Sequence, residues 1–145
     1  MESKRLKIML FVYNFKHKKS VDFIHKLVEE NIYIDAIVAA DYFKIKRPKK
    51  AINFSPFFSC SEHPKDVANK LDIPYYALNH DNEEILDVVT KHSIDLGIIA
   101  GARILRYKII QFFNRGIINF HPGLLPECRG LDSMFWSIYN NYPLG

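Results

Sequence analysis

Two cysteines in 145 residues cannot frame a disulfide scaffold, and Cys60 and Cys128 lie far apart, so free thiols in a reducing compartment are expected. Long apolar runs are also missing, since none approaches the ~20 residues of a membrane span. The apolar start "MESKRLKIMLFVYNF" has no small-residue cleavage site and ends in Asn-Phe-Lys-His-Lys-Lys, so it reads as a first buried strand rather than a signal peptide. Glycine is scarce, with six in all and none in "NFKHKKS" (14–20), the segment that follows this strand. A G-x-G-x-x-G turn or a P-loop needs glycine there so that the backbone can approach phosphates. Its absence argues against ordinary nicotinamide dinucleotide binding and against nucleoside triphosphate hydrolysis. Internal repeats and low-complexity linkers are lacking, and a cytoplasmic protein with no membrane contact is expected.

The hydrophobic share is 48%, with 14% aromatic residues, which suits one globular domain spanning residues 1–145. The net charge of +4 is concentrated in "KHKK" (16–19) and "KIKRPKK" (44–50). These runs read either as solvated loops or as a rim facing phosphates. Neither is interleaved with aromatics as a single-strand nucleic-acid platform would be, so a nucleic-acid partner is not expected. Cys60 and His63 have a ligand-like spacing, but no second pair completes a tetrahedral set, and no metal is expected.

Continuous apolar segments alternate with helical patterns along the chain. Strands are predicted at 7–13, 34–40, 73–78, 94–100 and 116–120, and "INFSPFFSC" (52–60) is ambiguous between edge strand and loop because of Pro56. Helices are predicted at 21–31 with Ser20 as cap, at 64–72 with Pro64 in the first turn, after Asp81 or Asn82, across 106–113, and at 131–141 as an amphipathic segment. This alternation indicates an α/β fold with a mainly parallel sheet, whose ligands gather at the carboxyl ends of the strands.

Two strand ends carry chemistry. In "IIAGARIL" (98–105), Gly101 sits where strand becomes loop, and exposed backbone groups beside apolar side chains suit a flat heterocycle. In "INFHPGLLPECRG" (118–130), Asn119 and His121 project to one side of a strand and Phe120 to the other. Pro122 keeps His121 extended. An Asn amide and a His imidazole on one side can both donate to a carbonyl oxygen that becomes an oxyanion during acyl transfer. The His can also carry a proton between the attacking amine and the leaving nitrogen. Neither is an obvious nucleophile, which indicates direct transfer through a tetrahedral intermediate, and Cys128 reads as a bystander.

"DLGIIAGARIL" followed by "GIINFHPGLLPECRG" resembles the folate-dependent formyltransferase family, specifically over residues 95–145. The resemblance implies a Rossmann-like domain and 10-formyltetrahydrofolate as donor to a primary amine. It also implies that Asn119 and His121 are catalytic, with a pterin-contacting segment at Gly101, Arg103, Ile104 and Leu105. The missing glycine-rich first loop departs from the glycinamide ribonucleotide enzymes. "HPG" and "PECRGLD" look closest to the sugar N-formyltransferases, which implies an amino sugar on a nucleotide as acceptor. A methionyl-tRNA formyltransferase-like activity is an alternative. The family signature continues to an Asp beyond the loop, and Asp132 is the one aspartate downstream of His121. It falls early, where capping of the last helix explains it better. The expectation is therefore a C-terminally truncated domain with little or no transfer activity alone, and a possible homo-oligomer. The competing reading is an inactive remnant that keeps a folate- or nucleotide-binding surface.

Overall fold

The computed structural model describes residues 5–44, 62–130 and 132–145. The ambiguous segment 52–60, most of the second basic run and Cys60 lie outside them. Among the described residues five strands and five helices alternate: β1 (Ile8–Tyr13), α1 (Lys18–Glu29), β2 (Ala36–Ala40), α2 (Pro64–Lys70), β3 (Tyr75–Ala77), α3 (Ile85–His92), β4 (Leu96–Ile99), α4 (Tyr107–Ile110), β5 (Ile117–Asn119) and α5 (Ser133–Tyr139). The sheet is parallel throughout, in the order β3-β2-β1-β4-β5. This is the α/β architecture that the alternating pattern predicts.

β1 is central and apolar at every position because helices cover both its faces. Ile8, Leu10 and Val12 turn to one side, where Val21 and Ile24 of α1 and Val67 and Ala68 of α2 pack with Ile37 and Ala39. Met9 and Phe11 turn to the other, against Ile85, Val88 and Val89 of α3 and Ile109 of α4. Met9 through Val12 are fully buried. Gly97 lets β4 and β5 close on Phe11, because a Cβ there would stand 2.9 Å from Ile117 Cγ1 and 3.2 Å from the Phe11 ring.

Two capping expectations are corrected. His17 rather than Ser20 occupies the N-cap of α1, its ring nitrogen accepting from the Ser20 N–H. Ser20 is instead buried one turn into the helix, where its hydroxyl donates to Ala100 O at 3.3 Å and lies 3.4 Å from the Tyr13 N–H. Bridging two strand ends competes with capping for that hydroxyl. Asp132 does stand at the N-cap of α5, but in a left-handed conformation (φ 55°, ψ 25°) with no side-chain hydrogen bond to the helix. That backbone conformation aims its carboxylate away from the first-turn N–H groups.

α5 is amphipathic with its polarity reversed. Ser133 and Ser137 are buried, whereas Met134, Phe135, Trp136, Ile138 and Tyr139 are exposed. The small face is what the 123–128 loop admits: a Cβ on Gly123 would stand 2.6 Å from Cys128 O and 2.8 Å from Ser133 Cβ. Contact at that range requires glycine on one side and a small residue on the other. Ser137 Oγ is buried with no hydrogen-bond partner among the described residues.

At the opposite, amino end of the sheet, Asp35 gathers Arg5 (2.6 and 3.0 Å), Lys7 Nζ (3.1 Å) and the Ile8 N–H (2.9 Å). Burial alone would raise its pKa, but the bonds from Arg5, the Ile8 N–H and Lys7 outweigh that effect and hold the carboxyl below its ordinary value. A group depressed in this way stabilises the fold above its unfolded pKa and loses that contribution as pH falls through the folded pKa. Asp35→Ala should cost ~1–3 kcal/mol at neutral pH, chiefly by orphaning the Ile8 N–H. The difference from wild type should narrow below pH ~4. Urea titrations at pH 7 and pH 3 check both statements.

Candidate functional site at the carboxyl edge of the sheet

Strand order reverses at β1, which has β2 on one side and β4 on the other, and in sheets of this kind ligands gather at the carboxyl ends of the strands flanking such a point, here β1 and β4. Side chains from the glycine-free first loop stand at this edge. A Cβ on Gly101 would stand 3.0 Å from Ser20 Oγ, 3.0 Å from Tyr13 Cδ2 and 3.1 Å from His17 Cε1, so any larger residue there would have to push these side chains aside. Tyr13 is edge-on to His17 (4.9 Å) and stacked on Phe15 (5.0 Å), and its hydroxyl donates to Ala102 O at 2.8 Å. Burial, with a smaller push from Lys19, lowers the His17 pKa below its usual value. Aromatic rings therefore occupy the place of a phosphate-binding glycine turn.

The 101–105 segment is held at several points. The Arg103 N–H donates to His80 Nδ1 at 3.0 Å. The Arg103 guanidinium turns back toward the loop after β2, 3.4 Å from Asp41 O and 3.5 Å from Phe43 O, and lies over the Phe43 and Tyr13 rings at 5.2 and 5.9 Å. Leu105 packs against the α3–α4 core, whereas Ile104 is 88% exposed. Among the described residues no hydrogen bond engages the backbone groups of Ile104 or Leu105. The segment thus offers free backbone donors and acceptors next to one projecting aliphatic side chain.

β5 brings the second motif to the same edge. Asn119 ends the strand and pairs in register with Ile99 of β4, two residues before Gly101. Ile117, on the same sheet face as Asn119, packs with the α3–α4 core. Phe120 points the other way and meets Phe23 of α1 at 5.4 Å. The alternation inferred from Asn-x-His is therefore seen at Asn119 and Phe120. His121 follows the last paired residue and is half-buried, with Nδ1 2.9 Å from Gly123 O and 3.3 Å from Gly123 N. One ring nitrogen cannot donate and accept at once. The shorter contact favours Nδ1–H donating to the carbonyl, which leaves the lone pair on Nε2. Asn119 is exposed, and among the described residues no hydrogen bond joins Asn119 or His121 to residues 101–105.

Several residues here were not singled out from sequence. Lys19, in the run read as solvated or phosphate-facing, reaches Phe120 O at 3.4 Å, between Asn119 and His121, and burial lowers its pKa. Asn14 donates to Asp41 at 2.7 Å and accepts from the Tyr75 hydroxyl at 2.7 Å, tying the first loop to β2 and β3. His80 is fully buried beneath Arg103. A lone histidine in "NHDN" gave no periodic or motif signal that could have found it. Cys128 is buried under the Gly123 loop, and among the described residues no three His, Cys, Asp or Glu side chains form a cluster suited to a metal. No described helix is long and apolar enough to cross a membrane.

A doubly wound parallel sheet with helices on both faces defines an α/β domain of Rossmann-like type. The chain belongs to the formyl transferase family, whose model matches residues 7–141. The match reaches well beyond the 95–145 region on which the sequence resemblance rested. Methionyl-tRNA formyltransferase of Fusobacterium nucleatum is 29% identical over 115 residues, covering 77% of this chain and 35% of that protein. The same enzyme of Fervidobacterium nodosum is 35% identical over 77 residues, covering 52% of this chain and 24% of that protein. The chain thus spans about a third or less of these curated relatives. Among solved structures, phosphoribosylglycinamide formyltransferase from Anaplasma phagocytophilum superposes with a TM-score of 0.62 at 21% identity, covering 94% of this chain and 59% of that one. Glycinamide ribonucleotide transformylase 1 from Symbiobacterium toebii gives 0.63 at 13% identity, covering 95% and 62%. These two likenesses establish the fold. Relatives named for a tRNA weigh against the expectation that nucleic acid plays no part.

Proposed function

We propose that the domain takes part in formyl transfer from 10-formyltetrahydrofolate to a primary amine, with an amino sugar carried on a nucleotide as the acceptor. The observation that carries the reading is the register of Ile99 with Asn119, since it sets the 101–105 segment and the Asn119–His121 stretch on one carboxyl edge. The residues present fit the donor. Free backbone groups at Ile104 and Leu105 suit the polar edge of a pterin, and the Ile104 side chain suits its face. The donor would supply an activated formyl group.

This chain's own residues would do the rest. The Asn119 amide would donate to the formyl oxygen as negative charge gathers on it. Nε2 of His121, free of the Gly123 contact, would take the proton released by the attacking amine and return one to the departing nitrogen. The Gly123 carbonyl would hold the ring in that tautomer. An acceptor of the glycinamide ribonucleotide kind fits less well, because rings of Tyr13, Phe15 and His17 stand where a glycine turn would cradle its phosphate. A methionyl-tRNA acceptor is the second reading, favoured by the curated relatives.

Ile104 gives a clean test, because a side chain so exposed can change without disturbing the core. Ile104→Asp should weaken binding of 5-formyltetrahydrofolate about ten-fold, or ~1.4 kcal/mol, with unfolding unchanged. Equal affinity in the variant would move the folate elsewhere. Acceptors are ranked by transfer rates to nucleotide-linked amino sugars, glycinamide ribonucleotide and methionyl-tRNA. Preference for the tRNA would replace the amino-sugar reading.

A further inference from the structure

We infer that His80 is a positioning residue for the folate-facing segment, its neutral imidazole fixing the backbone of residues 103–105 through the Arg103 N–H. The inference rests on the reading that this segment receives the folate. His80 lies outside every motif visible in the sequence, yet it occupies the layer directly below the segment. Its ring is fully buried, edge-on to Phe11 at 5.5 Å and tilted against Tyr13 at 6.3 Å. Both nitrogens face backbone. Nδ1 lies 3.0 Å from the Arg103 N and Nε2 lies 3.4 Å from Val38 O.

An amide N–H can only donate, so Nδ1 must carry the lone pair and Nε2 the hydrogen, which faces the Val38 carbonyl. One tautomer of the neutral ring satisfies both contacts, whereas the imidazolium keeps the Val38 contact but loses the other, because its second N–H would oppose that of Arg103. Burial, together with the nearby Arg103 charge, outweighs the backbone carbonyls and Asp81, and takes the His80 pKa down to about 4. The ring is therefore neutral across the working range. His80 thus ties the middle of β2, at Val38, to the segment after β4, two strands away across β1. The Arg103 guanidinium makes the same crossing on the surface, toward Asp41 and Phe43. With Arg103 N–H engaged from below, the next two residues present their own backbone groups outward. A side chain at position 80 without an acceptor there would leave that N–H unpaired and release the segment from its register.

The test separates acceptor from filler. Asn at position 80 keeps an oxygen near the place of Nδ1, whereas Leu keeps volume and removes the acceptor. His80→Leu should weaken 5-formyltetrahydrofolate binding about ten-fold, and His80→Asn should stay within about three-fold of wild type. Arg103 amide hydrogen exchange should accelerate in His80→Leu and remain slow in His80→Asn. Equal losses in both variants would reduce His80 to packing and overturn the proposal, as would unchanged exchange at Arg103 in His80→Leu. If either variant fails to fold, the nitrogen-15 shifts of the wild-type imidazole decide: a protonated Nε2 with a bare Nδ1 supports the proposal, and the reverse tautomer overturns it. Exchange and shifts are read without folate. Failure of wild type to bind folate would therefore sink the functional reading, while these two measurements still judge His80.

Discussion

Replacing His121 by alanine should lower formyl transfer by about 10²–10⁴-fold, the range that one positioned acid–base group supplies. Two parts of the site make this the largest functional effect expected. Nδ1 is committed to the Gly123 carbonyl at 2.9 Å, so Nε2 is the nitrogen left to move a proton. Neighbouring candidates cannot substitute: Lys19 Nζ is turned to the Phe120 carbonyl, and Cys128 is buried. His121→Asn is the informative companion, because it can keep a donor near Gly123 yet cannot shuttle a proton, and it should fall by a similar order. Asn119→Ala should cost about 10²–10³-fold, as the loss of one oxyanion donor does. Folate affinity should hold in all three variants, because the 101–105 segment is untouched. Transfer is best measured with saturating acceptor. An unchanged kcat in His121→Ala would remove His121 from the chemistry.

The largest stability effect should come from Phe11→Ala, at ~3–5 kcal/mol. Phe11 is fully buried at the centre of the sheet, with His80 edge-on at 5.5 Å and Phe113 tilted at 5.8 Å. Deleting the ring opens a cavity that β1 and β4 cannot close, because their spacing is fixed by parallel hydrogen bonds from Ile8↔Leu96 to Phe11↔Ile99. Such a loss is a large share of the 5–15 kcal/mol that holds a typical domain folded. In urea the midpoint should drop while the slope with denaturant stays as in wild type. The effect should also reach the site: with Phe11 gone, His80 loses its wall, and folate affinity should fall in the molecules that remain folded. Full affinity in a folded Phe11→Ala protein would show that the core and the 101–105 segment are uncoupled.

Much of this architecture was legible along the chain. "KIMLFVY", "IDAIVAA" and "IDLGIIA" are apolar at almost every position, which a strand can be only when both faces of its sheet are covered, and β1, β2 and β4 lie within them. Pro64 announced α2 because its ring suits a first helical turn and little else. Asn119 and Phe120 could be assigned to opposite faces because strand alternation is fixed by backbone geometry.

The caps were less legible. Ser20 and Asp132 are ordinary N-cap residues by type, but tertiary contact and backbone conformation decide what they do. The Ser20 hydroxyl lies between His17 Nδ1 (2.8 Å) and the Ala100 carbonyl, 80 residues on (3.3 Å), while Asp132 sits in a left-handed backbone and makes no side-chain bond to the helix. The reversed polarity of α5 is of the same kind, set by how closely Ser133 must approach Gly123.

The amino-acid sequence by itself determined the element order, the parallel α/β class and the family, because periodicity and the "GIINFHPGLLP" motif are local properties of the chain. Only the tertiary structure decided that aromatic rings replace a glycine turn over Gly101, and that Arg103 folds back on the loop after β2. It alone set a buried His80 beneath the 101–105 segment. Each of these depends on contacts between residues far apart in sequence, where burial and hydrogen-bond satisfaction, rather than residue type, choose the partner.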